Sequence, residues 1–77
     1  MSEYEWLMFF SDSLYELMKE RKISQRELAE RTGLTESAIS KYINGTIIPK
    51  ATSIVKLAIA LDCTTDDLIN FDEMIEI

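Results

Sequence analysis

Histidine is absent from this chain, and cysteine occurs once, at Cys63. A structural zinc site needs four Cys or His ligands and a disulfide needs two cysteines, so zinc fingers and intramolecular disulfide frameworks are excluded. No apolar run approaches the roughly 18 residues of a membrane-spanning helix, and the acidic first residues do not fit a signal peptide. At 77 residues, the chain has room for one modest core. These absences predict a single small cytoplasmic domain with no membrane partner.

Residues on which enzymes depend are also scarce. There is no histidine base, no nucleophile and base at a recognisable spacing and, with two glycines in the chain, no glycine-rich phosphate loop. The acidic pairs Asp66-Asp67 and Asp72-Glu73 lack the spacing of a calcium-binding loop. We therefore expect no enzymatic activity, no cofactor, no metal site and no small-molecule ligand.

The net charge of −6 is unevenly distributed along the chain. Residues 1–12 and 62–77 contain acidic side chains but no lysine or arginine, whereas residues 13–61 contain all eight basic side chains and five acidic ones. Taken alone, the total charge would argue against a nucleic-acid partner. The mildly basic centre weakens that objection, because local charge attracts phosphates more directly than total charge does.

Helical spacing and capping residues predict five helices and no strands. Apolar residues recur every three or four positions over residues 4–22, which indicates one long first helix or two merged ones. Ser24 and Glu27 have the spacing of a capping box that opens a second helix, and Gly33 is suited to end it. The remaining helices are expected from Thr35 to the Asn44-Gly45 terminator, over residues 51–61, and after Thr64.

The most informative segment is residues 24–45, which read SQRELAERTGLTESAISKYING. Two helices of about two turns each are separated here by a tight turn that contains Gly33, and this is the helix-turn-helix pattern. Ala29 is small where the two helices are expected to cross. The apolar residues expected to set the crossing angle are Leu28, Leu34, Ile39 and Tyr42.

This segment closely resembles the Cro/cI-type (XRE-like) helix-turn-helix family of phage repressors. The resemblance extends over about residues 10–70, because the apolar positions on either side of the motif also match. It implies an all-α, five-helix bundle of the lambda-repressor type. Residues 1–9 would form a helical extension at the N-terminal side, and residues 71–77 an acidic and apolar tail.

The resemblance further implies sequence-specific binding of double-stranded DNA and repression of transcription, as in prophage or Cro-like regulators. The third helix, over residues 35–43, would lie in the major groove. Lysine there suits guanine O6 and N7, and glutamate accepts a hydrogen bond from cytosine N4. Carried over position by position, the base-facing residues are Glu36, Ser37, Ser40 and Lys41. The residues expected to contact phosphates are Gln25, Arg26, Thr35, Asn44 and Lys50.

Apolar residues near both ends of the chain admit two interpretations. They either pack on each other within one chain or form the interface of a homodimer, since an exposed apolar patch usually marks a partner surface. A dimer would place two recognition helices about 34 Å apart on a palindromic operator, and we expect this arrangement. The interface candidates are Trp6, Phe9, Phe71, Met74 and Ile75.

Departures from the family pattern predict weaker DNA binding. Thr46 and Ile47 stand where relatives often carry basic residues, and Glu36 brings a negative charge to the groove. Fewer neutralised phosphates give a shallower dependence on salt. The alternative hypothesis is a protein-interaction module of the same fold, antitoxin-like or anti-repressor-like, that binds DNA weakly.

Overall fold

The computed structural model describes residues 2–69, which form five α-helices and no strand. None of the helices in this range is long and apolar enough to cross a membrane. The predicted all-α, five-helix architecture is confirmed. The helices are α1 (Glu3–Arg21), α2 (Gln25–Thr32), α3 (Glu36–Asn44), α4 (Ala51–Ala60) and α5 (Thr65–Leu68).

The first helix includes the predicted N-terminal extension. α1 runs without interruption through residues 9 and 10, so the extension continues the first helix of the bundle. The indole of Trp6 stacks on the ring of Phe10, with the ring centroids 6.1 Å apart. The division of the chain at residues 9 and 70 stays a prediction, and the tail over residues 71–77 lies outside the described residues.

A serine or threonine lies at the N-cap of four of the helices, and in three of them its hydroxyl accepts from a backbone N–H group that has no partner within the helix. Ser24 Oγ accepts from the Glu27 N–H at 3.1 Å, which opens α2. The second half of the predicted capping box is wrong, since the Glu27 carboxylate accepts from Arg31 at 2.7 Å. A charged donor one turn away competes better for that carboxylate than a neutral N–H does.

The short helix α5 has the bond that α2 lacks, from the backbone N–H of the N-cap residue to the carboxylate three residues later. The Thr64 N–H donates to Asp67 Oδ2 at 2.9 Å, and the Thr64 hydroxyl donates to the same oxygen at 3.1 Å. These bonds compensate for the small number of hydrogen bonds that a helix of four residues can make within itself.

One apolar core is shared by all five helices. α1 packs against α3 and α5, α2 packs against α3 and α4, and α4 packs against α5. Among the residues predicted to set the helix-turn-helix angle, three are buried and Leu34 is half-buried at the edge. The largest side chains that are completely enclosed are Phe10, Leu14, Leu28, Ile39, Leu57, Leu61 and Leu68.

Candidate nucleic-acid interface

The inner face of α3 is anchored by two buried side chains. Ile39 is fully enclosed, and Tyr42 lies edge-on to Phe10 of α1 with ring centroids 5.9 Å apart. The Tyr42 hydroxyl is also hydrogen-bonded to Ser53 Oγ of α4 at 3.3 Å. A tyrosine buried in this way contributes both apolar contact and a directional bond. α3 is therefore held from two sides, by α1 and by α4.

A serine on α1 provides a further connection to the end of α3. The buried Ser11 hydroxyl donates to the Tyr42 carbonyl oxygen at 2.7 Å. The chain then turns at Gly45, where φ is +70° and a Cβ atom would lie 3.3 Å from Ser11 Oγ. Sequence analysis missed Ser11, although a small polar residue next to Phe10 on an apolar helical face is the signal that identifies it.

The turn between α2 and α3 is fixed by a buried threonine. Thr32 Oγ1 donates to the Leu28 carbonyl oxygen at 2.8 Å and accepts from the Leu34 N–H at 3.2 Å. Gly33 follows with φ of +76°, a backbone conformation that favours glycine. Thr35 then begins α3, with its Oγ1 accepting from the Ala38 N–H at 3.0 Å. Thr35 is exposed, so its hydroxyl lies at the surface where the phosphate contact was predicted.

The outer face of α3 is polar. Glu36, Ser37 and Lys41 are exposed, whereas Ser40 is half-buried. Ser37 and Lys41 are four residues apart, which places them on the same side of the helix, one turn from each other. Among the residues that the structure describes, none of these four side chains is engaged in a hydrogen bond or ion pair with another side chain. Their polar groups are free to contact a ligand.

The start of α2 lies beside Lys19 and Lys22, two lysines at the end of α1 that were not among the predicted phosphate contacts. Gln25 is the first residue of α2 and is exposed. It borders an open groove of about 390 Å³ that also includes Lys19 and Lys22. The position of Lys22, three residues before Gln25, is the feature of the sequence that could have identified it as a neighbour of Gln25. The groove is lined by Tyr15, Met18, Lys19, Lys22, Ile23, Ser24, Gln25 and Ile43.

The three arginines are engaged within the chain. Arg21 Nε donates to the Leu61 carbonyl oxygen at 2.9 Å, and an Arg31 nitrogen lies 2.7 Å from a Glu27 oxygen. Arg26 Nε lies 3.6 Å from a Glu30 carboxylate oxygen, in an exposed pair that contributes little to stability. The Arg26 guanidinium can therefore exchange this carboxylate for a phosphate at small cost.

Lysines supply the positive charge that is not already paired. Of the lysines, Lys19 alone is in an ion pair among the described residues, with its Nζ 3.9 Å from Glu16. Lys50 is exposed at the start of α4, and Asn44 is the exposed last residue of α3. The two residues lie on either side of the link between α3 and α4, and their contacts with phosphate stay predictions.

Acidic residues are concentrated on another side of α1. A groove of about 350 Å³ between α1 and α5 contains carboxylates from both helices and no residue of α2 or α3. The groove beside Gln25, by contrast, contains two lysines and no acid. The net charge of −6 is thus compatible with an anionic ligand, because the groove at the start of α2 is lined by lysines and by no carboxylate. The acidic groove is lined by Phe9, Asp12, Ser13, Glu16, Leu17, Glu20 and Asp67.

Cys63 is a half-buried residue between α4 and α5 that packs against the core. Burial raises the pKa of its thiol above the ordinary value, and the neighbouring carboxylate of Asp67 raises it further. The Arg21 guanidinium opposes this shift by a smaller amount. The thiol is therefore protonated at neutral pH and is a poor nucleophile.

The predicted interface candidates at the chain ends fall into two groups. Trp6 and Phe9 are half-buried on α1, with Trp6 packed against the core and Phe9 in the acidic groove. Phe71, Met74 and Ile75 lie outside the described residues.

Comparison with known proteins places the motif in a family. The sequence model of the helix-turn-helix family HTH_3 matches residues 14–68. An uncharacterized HTH-type transcriptional regulator, y4dL of Sinorhizobium fredii, is 52% identical over 42 residues, which cover 54% of this chain and 21% of that protein. The chain thus spans about a fifth of the length of this relative.

Two solved structures share the fold. The restriction-modification controller protein C.AhdI from Aeromonas hydrophila superposes with a TM-score of 0.81 at 33% identity, over 86% of this chain and all of that chain. An HTH_3 family transcriptional regulator from Vibrio cholerae superposes with a TM-score of 0.85 over 95% of this chain and 41% of that chain, and its 19% identity supports the fold alone.

The family match over residues 14–68 covers most of the segment, about residues 10–70, on which the resemblance was recognised. It also agrees with the expectation that the chain is not an enzyme, since these relatives are regulators. The XRE-type resemblance is confirmed, and the chain belongs to the helix-turn-helix family of DNA-binding transcriptional regulators.

Proposed function

We propose that this chain is a sequence-specific repressor that binds double-stranded DNA with α3 in the major groove. The observation that carries the proposal is the exposed, unpaired polar face of α3 on a helix whose inner face is buried and hydrogen-bonded. A helix held in this way presents its outer side chains with little conformational freedom. Pre-organised contacts lose less entropy on binding than contacts that must first be ordered.

The side chains of α3 differ in the base edges that they suit. Lys41 donates to guanine O6 and N7, and Glu36 accepts from the cytosine N4 amino group. Ser37 is both donor and acceptor and suits either class of partner. Ser40, which is half-buried, contributes at the edge of the contact. A good base contact provides about 1–3 kcal/mol of discrimination against the wrong base.

Phosphate contacts complete the proposed interface. Gln25 lies at the start of α2, where free N–H groups and the helix dipole favour an anion. Lys19 and Lys22 border the same groove and add two positive charges. Each neutralised phosphate contributes about −0.9 to the slope of log affinity against log salt. The other proposed phosphate contacts are Arg26, Thr35, Asn44 and Lys50.

We infer that the chain acts in the cytoplasm as a homodimer on a palindromic operator, where it represses by blocking access to the promoter. Two copies related by a two-fold axis bind two half-sites related by the same axis, so the symmetry of the protein is repeated in the DNA. Pairing also compensates for the small number of lysines that each copy offers to phosphates.

The experiment is selection of bound sequences from a random duplex library at low salt. The wild-type chain is compared with a variant that combines Ser37→Ala and Lys41→Ala. A matched control combines Thr52→Ala and Lys56→Ala, which removes a hydroxyl and an ammonium group at the same spacing from the exposed face of α4. Both variants lose one positive charge, so a non-specific effect of charge is the same in each.

We expect a palindromic consensus with the wild-type chain and with the α4 control, and loss of that consensus with the α3 variant. If no sequence is enriched, or if the α3 variant selects the same consensus, α3 does not read bases. The protein-interaction alternative would then account better for the fold. A consensus without two-fold symmetry would contradict the homodimer.

A further inference from the structure

The groove between α1 and α5 has a largely apolar floor. Phe9, Ser13 and Leu17 are half-buried and four residues apart, so they form one row along α1. Leu17 packs against the core, whereas Phe9 is not among the half-buried side chains that do so in the described part of the chain. Within residues 2–69, the ring of Phe9 therefore has apolar surface that the core does not use.

Carboxylates from two helices line the same groove. Asp12, Glu16 and Glu20 of α1 are exposed and also four residues apart, so they form a second row beside the first. Asp67 of α5 lines the groove as well, and no lysine or arginine does. Each row on α1 extends about 12 Å along the helix axis. The groove thus combines an apolar floor with negative charges repeated at every turn.

These carboxylates are available to an external cation. Among the described residues, Asp12 is in no ion pair, and a Glu16 oxygen lies 3.9 Å from Lys19 Nζ in an exposed pair that contributes little to stability. Glu20 has a similar exposed pair with Arg21 at 3.4 Å. Within the same residues, no group of three acidic side chains is arranged to hold a metal ion. The row therefore suits several cations spread along it.

We propose that this groove binds a cationic amphipathic helix of a partner protein. The side chains on one face of a helix recur every three or four residues, so apolar residues of the partner can lie on the floor while its lysines or arginines lie one turn apart beside it. That interval is the same as the interval between the carboxylates of α1. Rows of side chains on two packed helices interdigitate in this manner.

The charge of the groove disfavours the other occupants. DNA is repelled by the carboxylates, and a second copy of this chain would bring the same carboxylates against them. Residues 70–77 contain three acidic side chains and no lysine or arginine, so they supply no cation either. The groove shares no residue with the surface proposed to contact DNA. Binding of the partner helix is therefore independent of operator binding and is tested without DNA.

The experiment measures the binding of a synthetic peptide to the full chain by fluorescence anisotropy, at about 0.15 M salt. The peptide consists of about 18 leucine and lysine residues, with the leucines on one helical face, and it carries a fluorescein label. A second peptide has the same composition in a permuted order that leaves no apolar face. The two peptides have the same charge, so their comparison separates the amphipathic helix from cationic charge alone.

Two double variants separate the groove from the total charge of the chain. One combines Asp12→Asn and Glu16→Gln, which removes two carboxylates of the groove. The matched control combines Glu30→Gln and Asp62→Asn, which removes two exposed carboxylates elsewhere and changes the net charge by the same amount. Phe9→Ala removes the aromatic ring from the floor without a change of charge. Far-UV circular dichroism checks that each variant is folded.

We expect the wild-type chain to bind the amphipathic peptide with a Kd of about 1–100 μM. The groove double variant and Phe9→Ala should each raise the Kd at least about fivefold, because they remove ionic and apolar contacts respectively. The matched control should leave the Kd within about twofold of wild type.

Four results would overturn the proposal: no binding at about 1 mM chain, equal effects of the two double variants, an unchanged Kd for Phe9→Ala, or equal binding of the permuted peptide. The DNA selection tests α3, which contributes no residue to this groove, so either proposal can fail while the other stands.

Discussion

Helices α3 and α4 have almost the same length, at nine and ten residues, and each buries one apolar face in the same core. Their outer faces differ. α3 presents a glutamate, two serines and a lysine, whereas α4 presents valine, isoleucine and one lysine. The inner faces form the core, and the outer faces are the surfaces that a partner can contact. In this molecule, a polar outer face and a largely apolar outer face occur on neighbouring helices.

The largest expected effect is a loss of stability on truncation of a buried side chain, and it tests whether the inner faces of α3 and α4 contribute equally. Ile39→Ala and Leu57→Ala each remove a completely enclosed side chain. Each should lower the free energy of unfolding by about 2–4 kcal/mol, through lost apolar burial and the cavity that remains. Urea denaturation of both variants measures the effect.

Val55→Ala is the control for this comparison, because it truncates an exposed side chain on the same helix as Leu57. Its effect should stay within about 0.5 kcal/mol. A loss at Val55 as large as at Leu57 would contradict the distinction between the inner and outer faces of α4.

A smaller effect is expected at the end of α3. Gly45→Ala introduces a side chain at φ of +70° and places its Cβ 3.3 Å from Ser11 Oγ. We expect a loss of about 1–2 kcal/mol, from the left-handed backbone and the displaced hydroxyl. Thermal unfolding followed by circular dichroism provides the measurement.

Gly33→Ala separates the two contributions. Gly33 has φ of +76°, but no atom beyond its chain neighbours lies within 4 Å of the position that a Cβ would occupy. Gly33→Ala should therefore lower the free energy of unfolding only through the strained backbone, by about 1 kcal/mol. Equal losses at both glycines would show that the contact between Ser11 and Gly45 is unimportant.

The smallest effect is expected at the end of α4, which has no glycine. The carbonyl oxygen of Leu61 accepts from Arg21 Nε at 2.9 Å, so a side chain of α1 completes α4. Arg21→Met retains much of the apolar stem but removes this donor, and we expect a loss of about 0.5–1.5 kcal/mol in urea denaturation. Arg26→Met, which removes only an exposed ion pair, should change the stability by much less. If the two substitutions have the same effect, the bond to Leu61 does not stabilise α4.

Much of the fold could be predicted from local signals. The caps Ser24 and Thr35 and the terminators Gly33 and Gly45 each act within a few residues, so spacing alone identified the helices of the motif. The Glu27 carboxylate is the exception, because two partners compete for it and the sequence does not rank them.

Contacts between distant residues could not be predicted in this way. The bonds from Ser11 to Tyr42 and from Arg21 to Leu61 join residues 31 and 40 positions apart. No periodicity encodes such pairs, since they depend on how the helices cross. The groove that brings Lys22 and Gln25 together with Ile43 of α3 also depends on how the helices pack, so it could not be predicted from spacing. The proposed base-facing residues were instead predicted from the family resemblance and remain to be tested.

The anchoring of α3 through Ile39, Tyr42 and the Ser11 bond to the Tyr42 carbonyl has a practical consequence for engineering. Positions 36, 37 and 41 take no part in that anchoring, so they can be randomised together without weakening the scaffold. Members of a library at these three positions should stay folded, with differences in stability limited to helix propensity and the charge at the start of α3, and we expect them to differ in the DNA that they prefer. The bundle could therefore serve as one scaffold for several sets of side chains on α3.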